Sequence, residues 1–264
     1  MDRLDVLLVK LGFFESRSKA AKAIEDGKVK DETGKVYNKA SIKVSLNSKF
    51  IIEDACPYVS RGGYKLEKAL KEFNIDIKDN VMLDIGASTG GFTSCALMHG
   101  VKKVYAIDVG HDQLHKSLKE DKRVKNLEGI DFKSIDPNII EGNVDFASID
   151  VSFTPVGLML PNLHTLLKNK GKSVILVKPQ FEAGKGYLNK NGVVKDKKAH
   201  IRVIDKVISE VIANKMSVKG LTYSPNKGDK SGNIEYLLYI TNEENKSIKV
   251  DPLEVIDKAF ESLK

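Results

Sequence analysis

Two cysteines, Cys56 and Cys95, are all that the 264 residues carry, too few for a disulfide framework or a four-ligand zinc site. His99, His111 and His115 add no convincing ligand set, so no metal is expected and both thiols read as buried or idle. Long apolar runs are missing too: none approaches the roughly 18 residues that a membrane-spanning helix requires. Met1-Asp2-Arg3-Leu4-Asp5 opens an amphipathic segment rather than an export signal, so the chain is expected in the cytoplasm with no membrane partner. Internal repeats and low-complexity tracts are absent, as is any aromatic-rich stretch that would serve as a stacking platform.

What is present suffices for a packed core, with 41% apolar residues and room for one ordinary domain plus a small companion. The formal charge of +7 favours an anionic partner. Between 183 and 202 six cations face Asp196 alone, a local excess of +5 that reads equally as a solvated lysine-rich surface or a nucleic-acid contact.

Leu4, Leu7, Leu8 and Leu11 recur at helical spacing and stop at Gly12, and Ser16 is placed to cap a second helix from Arg17 to Asp26. Short β-prone pieces follow, among them 42–44 and 50–52, separated by the turns Glu32-Thr33-Gly34-Lys35 and Asn47-Ser48. These predict a small α+β domain over 1–54, a joint over 55–63 marked by Pro57 and Gly62-Gly63, and a larger domain over 64–264. In the larger domain apolar runs at 81–85, 103–109, 144–151, 173–178, 218–223 and 234–241 alternate with helical patterns, and 124–127 is a weaker strand. Such alternation predicts a largely parallel α/β sheet with ligands beyond the carboxyl ends of the strands.

Gly86-Ala87-Ser88-Thr89-Gly90-Gly91-Phe92-Thr93 follows the first of these strands. It nearly spells a triphosphate loop, but Phe92 stands where the phosphate-gripping lysine belongs. The dinucleotide pattern fails at its third position, which is Ser88. Asp108 closes the next strand and suits a ribose diol. Asp84 beside the loop would repel a pyrophosphate and favour an ammonium or sulfonium, so S-adenosylmethionine fits the charge pattern better than NAD. Gly86, Gly90 and Gly91 would let the backbone approach the amino-acid end of that cofactor, and Ser88 and Phe92 of the same loop are counted with them as cofactor contacts.

Two further strands end in charge: Asp150 after 146–149 and Lys178 after 174–177. Buried strands tolerate such residues poorly unless they are paired or used. Glu235 opens the last apolar strand, and Lys65 follows Arg61-Gly62-Gly63-Tyr64. Together they form a Lys-Asp-Lys-Glu set, and on it residues 61–264 resemble the FtsJ-like ribose 2′-O-methyltransferases. The N-terminal segment, with Arg3-Leu4-Asp5, Gly12, Ser16-Arg17 and Ala20, resembles the RNA-binding domain first described in the fourth protein of the small ribosomal subunit. That pairing is characteristic of the TlyA family of ribosomal RNA 2′-O-methyltransferases, also called haemolysins. Residues 61–66, 83–93 and 177–182 are close to its motifs.

The resemblance implies a Rossmann-like class I methyltransferase sheet behind a small RNA-binding domain, with S-adenosylmethionine as cofactor and ribosomal RNA or a ribosomal subunit as partner. It implies catalytic roles for Lys65, Asp150, Lys178 and Glu235, and an adenine contact at Asp131-Phe132. Lys178 would act as general base or as a cation stabilising the developing alkoxide, and Glu235 would hold Lys65 or Lys178. Arg3, Arg17, Lys19, Lys22, Arg61 and Lys185 are the candidate RNA contacts, for folded RNA more than a free strand. The two acids of the 31–35 turn argue against RNA contact there. Family members with a longer N-terminal extension act on cytidines of both subunits, so the large-subunit cytidine is the expected target. The competing readings are a membrane-lytic haemolysin and a non-catalytic RNA-binding assembly factor.

Overall fold

The computed structural model describes residues 1–263 except 15, 53–55 and 229–231, together with the backbone but not the side chain of Lys185. It divides into two compact units, Met1–Pro57 and Tyr58–Lys264. Residues 58–63 therefore belong with the second unit.

The first unit runs β1 (Asp2–Arg3), α1 (Leu4–Lys10), α2 (Arg17–Glu25), β2 (Val29–Asp31), β3 (Val36–Tyr37), β4 (Lys43–Val44) and β5 (Phe50–Ile52). β3-β2-β5 form one antiparallel sheet and β1 pairs with β4. Leu4, Leu7 and Leu8 present one helical face to Ala20, Ile24, Val29 and Phe50. Leu11, the fourth residue of the expected stripe, is instead exposed at the helix end. Gly12, with φ +79°, turns the chain away before another helical turn can bury it. Ser16 caps α2 by accepting the Lys19 N–H at 3.3 Å. Asp31 organises the acidic turn: Oδ1 accepts the Thr33 and Lys35 N–H groups and the Thr33 hydroxyl, and Oδ2 accepts the Tyr37 hydroxyl.

The second unit runs α3 (Gly63–Glu72), β6 (Val81–Ile85), α4 (Gly91–Met98), β7 (Lys103–Asp108), α5 (Lys116–Lys119), β8 (Val124–Glu128), β9 (Val144–Ile149), α6 (Leu160–Leu166), β10 (Leu167–Val177), α7 (Pro179–Glu182), α8 (Lys197–Ala213), β11 (Ser217–Tyr223), β12 (Tyr236–Thr241) and α9 (Pro252–Ser262). The sheet order is β11-β12-β10-β9-β6-β7-β8. β10, β9, β6, β7 and β8 pair in parallel, while β12 is antiparallel to both neighbours. Leu83, Ile85, Phe132, Ile149, Leu163, Val207 and Leu238 belong to the main core.

The reversed strand matters for the site. Because β12 runs against β10, its first residue Tyr236 lies opposite Val177, the last of β10. Glu235, just ahead of β12, thus reaches the same sheet edge as Lys178, just beyond β10.

Candidate active site

The loop after β6 and the tip of β9 meet at a close approach. A Cβ on Gly86, whose φ is +82°, would come within 2.5 Å of the Asp150 carbonyl oxygen. Glycine there brings Asp150 against the turn, and the Asp150 N–H donates to the Ile85 carbonyl at 2.9 Å. Beyond these strand ends lies a cavity of about 320 Å³, within the range of small-molecule sites. Gly86, Ser88, Asp108, Asp131, Phe132 and Asp150 line it, with Gln113, Ser152 and Phe153. The Asp108 carboxylate accepts the Ser88 N–H at 2.8 Å and the Gly110 N–H at 2.7 Å. Two carboxylate oxygens offer about four lone-pair sites, so acceptor capacity remains for a diol.

Four other residues expected to hold the cofactor are not among those that line this cavity. Asp84 is fully buried, accepts the Thr93 hydroxyl at 2.6 Å and the Ser148 hydroxyl at 2.8 Å, and is absent from the cavity wall. Burial pushes its carboxyl up to about 6, against the pull of those hydroxyls. It braces β6 against α4 and β9 instead of facing a ligand's cation. Gly90, Gly91 and Phe92 also lie off the wall. A Cβ on Gly91 would meet the Ser60 Oγ at 2.4 Å and the Gly63 nitrogen at 3.1 Å, so this glycine serves helix packing. The start of α4 and the turn leading into α3 therefore touch, and α3 presents Lys65 in its first turn.

The four charged residues form two ion pairs. Lys178 Nζ lies 2.5 Å from Asp150 Oδ1 and donates to the Ser152 Oγ at 3.0 Å. Lys65 Nζ lies 2.7 Å from Glu235 Oε2, and Gln180 donates to Glu235 Oε1 at 3.0 Å. Glu235 thus holds Lys65, while Lys178 is held by Asp150. Both lysines and Glu235 are largely withdrawn from solvent, where an uncompensated charge is costly.

Sequence reading missed an aromatic at the mouth of the cavity. Phe153 is 87% exposed and has φ +62°, a conformation that costs a bulky side chain strain and recurs at functional sites. Its ring centroid lies 4.8 Å from that of Phe181. Glu182, from the same turn as Phe181, accepts the Val156 N–H at 2.6 Å and so fixes the far end of the Phe153 loop. A single Phe in a polar stretch carries no periodic signal, so only the fold reveals it.

Of the candidate RNA contacts, Arg3 and Arg17 converge on buried Asp5. Arg3 Nε donates to Oδ1 at 3.0 Å, and the Arg17 guanidinium donates to Oδ2 at 3.0 and 3.3 Å. Lys19 and Lys22 lie on α2, Arg61 is exposed in the turn before α3, and the Lys185 side chain falls outside the described residues.

Residues 58–241 match the family described as FtsJ-like methyltransferase, and residues 2–30 match the S4 domain. A Bacillus subtilis protein provisionally described as rRNA methyltransferase YqxC is 43% identical over 270 residues, covering 100% of this chain and 95% of its own length. The 16S/23S rRNA (cytidine-2'-O)-methyltransferase TlyA of Mycobacterium tuberculosis is 36% identical over 253 residues, covering 96% of this chain and 94% of its own. A solved structure from Streptococcus thermophilus, provisionally termed a hemolysin, is similar with a TM-score of 0.78 at 41% identity, over 99% of this chain and 96% of that one. With its strand order, its cavity at the strand tips and these matches together, the chain belongs to the FtsJ-like methyltransferases, in the TlyA group that joins an S4 domain to the transferase fold.

Proposed function

We propose that this protein transfers a methyl group from S-adenosylmethionine to the ribose 2′-hydroxyl of a cytidine in ribosomal RNA. The observation that carries the reading is the double membership of Asp150, which lines the cavity and also holds Lys178. A ligand anchored by the neighbouring strand tips has its reactive end beside that lysine.

The wall fits the cofactor. Asp108 offers acceptors to a ribose diol, Phe132 and Ile130 offer an apolar surface to an adenine with Asp131 beside them, and Gly86 and Ser88 line the same cavity. S-adenosylmethionine supplies a methyl group already activated by its sulfonium centre. The protein's part is to orient the hydroxyl and take up its proton.

An ammonium has three donors, and Asp150 and Ser152 account for two on Lys178. The third is placed to donate to the ribose oxygen and stabilise negative charge as it develops. Asp150, which pairs with that lysine and lines the cavity, takes the proton. Lys65, fixed by a Glu235 that is itself oriented by Gln180, adds a second cation to the cleft. Phe153, exposed at the mouth, gives a base drawn out of its helix a face on which to stack.

The first unit grips RNA phosphates through Arg3 and Arg17 around Asp5 and through Lys19 and Lys22 on the Ser16-capped helix. Such an enzyme works alongside ribosomes, in the cytoplasm. Among the described residues no helix is long and apolar enough to cross a membrane. Incubating the protein with labelled S-adenosylmethionine and purified small subunits, large subunits or naked ribosomal RNA tests the proposal. Label on a ribose supports it; label on a base, or red-cell lysis by monodisperse protein with no transfer, would overturn it.

A further inference from the structure

Away from the catalytic cleft, an exposed aromatic ring lies in the most basic stretch of the chain. Tyr187 closes the short turn Lys185–Tyr187 and is 45% exposed. The guanidinium carbon of Arg202, on α8, lies over it at 4.8 Å from the ring centroid. The segment from 183 to 202 that holds the pair carries an excess of +5, with Lys190, Lys195 and Lys198 exposed and Lys197 paired with Asp257 of α9. Arg202 meets its carboxylate partner Asp196 only at 3.7 Å, and Asp196 is already committed to capping α8 through the Lys198 N–H at 3.0 Å.

A surface Tyr–Arg contact does not by itself require a rigid loop, yet this one has it. Asn189 Oδ1 accepts the N–H groups of Asn191 and Val193, each at 2.9 Å. Asn233, fully buried, accepts the Val194 N–H at 3.0 Å and donates to the Gly192 carbonyl at 2.9 Å. His200, also buried, has one ring nitrogen 2.7 Å from the Tyr236 hydroxyl and the other 2.9 Å from the Val194 carbonyl oxygen. The segment between Tyr187 and Arg202 is thereby pinned to the start of β12 and to α8. A platform held in advance loses little entropy when a ligand settles on it.

We infer that Tyr187 and Arg202 form a stacking platform for an unpaired base of the RNA substrate, distinct from the face at Phe153, with Lys190, Lys195 and Lys198 on the flanking phosphates. Aromatic rings in a basic groove bind single strands in this way, because every base has a π-face while the backbone supplies charge. The inference rests on RNA being the substrate.

The test exploits a peculiarity of composition: the chain contains no tryptophan, so Tyr187→Trp in the full chain is a unique fluorophore. Titration with a mixed-sequence single-stranded RNA 12-mer should quench its emission in step with binding followed by anisotropy of a labelled strand. A blunt RNA duplex of equal length should bind through its phosphates without quenching. Tyr187→Ala should weaken single-strand binding roughly ten-fold or more with an unchanged salt slope, because a stacked base releases no counterions, whereas Arg202→Ala should lower both affinity and slope. Tyr187→Phe should bind as the unaltered protein does, and calorimetry with S-adenosylmethionine checks that every variant is folded. Equal quenching by strand and duplex, or unaltered single-strand affinity in folded Tyr187→Ala, overturns the platform. Ribosomal RNA methylation by the unaltered protein separates the two ideas: transfer with an inert Tyr187 sinks the platform alone, and quenching without transfer sinks the reaction alone.

Discussion

The two units of this protein both gather cations around buried carboxylates, and they differ in where the cations end up. Around Asp5 the Arg3 and Arg17 side chains remain 46% and 59% exposed. In the second unit the Lys178 and Lys65 side chains are only 10% and 13% exposed beside Asp150 and Glu235. A guanidinium held from behind and left wet can meet a phosphate with little loss of hydration. An ammonium withdrawn from water acts more strongly on a charge that forms next to it, because the screening is weaker. The first arrangement suits grip and the second suits chemistry.

The sharpest break in that comparison is Lys178→Ala. Methyl transfer should fall by roughly 10²- to 10⁴-fold while affinity for S-adenosylmethionine, read by calorimetry, stays within a few fold. Normal turnover would put the chemistry elsewhere. Next in size is stability: Glu235→Ala leaves a buried Lys65 without its carboxylate and should cost about 3–5 kcal/mol in denaturant unfolding. Arg17→Ala removes an exposed partner and should cost under about 1 kcal/mol. Equal costs would mean that the two kinds of pair are not distinct.

Binding should show the reverse. The double variant Arg3→Ala, Arg17→Ala should lower the slope of log affinity for ribosomal RNA against log salt by about 1 to 2, whereas Lys65→Ala leaves it near its original value. An unchanged slope in the double variant would move the phosphate contacts to the 183–202 loop.

The effects of pH have opposite signs in the two units. The hydrogen bonds of the Arg3 guanidinium, aided by Arg17, hold the Asp5 carboxyl down to about 2 against the effect of burial. Its contribution to stability is present above the unfolded value of about 3.9 and is lost as pH falls toward 2. Burial raises Asp84 to about 6, so its contribution favours the folded state below about 3.9 and is lost as pH rises through 6. Relative to Asp84→Asn, the unaltered protein should lose roughly 5 °C of melting temperature between pH 4 and pH 6. A constant difference would show that Asp84 does not titrate in that window.

The strand pattern and its charged tips were legible because a buried parallel strand tolerates a charge only at its end, which marks Asp150 and Lys178 from sequence alone. Glu235 reads the same way once its strand is known to run backwards, since an antiparallel strand begins where its neighbours finish. Asp84 misled by its closeness to the glycine loop. It is the fourth of five residues in β6, and alternation sets it on the face opposite Leu83 and Ile85, toward Thr93. The packing of Gly91 against the turn before α3 was not legible either, because a glycine that admits a ligand and one that admits a neighbouring helix look the same in a string of letters. Phe153 and the Tyr187–Arg202 pair were not legible, because they depend on loop conformation and on contacts across many residues.

Mapping modified nucleotides in ribosomal RNA from large and small subunits, after incubation with the protein and S-adenosylmethionine and in parallel with Lys178→Ala, decides whether a ribose is the acceptor and Lys178 its partner. The predicted result is a 2′-O-methyl group on a defined cytidine with the unaltered protein and at least about a hundred-fold slower appearance of it with the variant. Methylation of a base, or an equal yield of ribose methylation from Lys178→Ala, would contradict it.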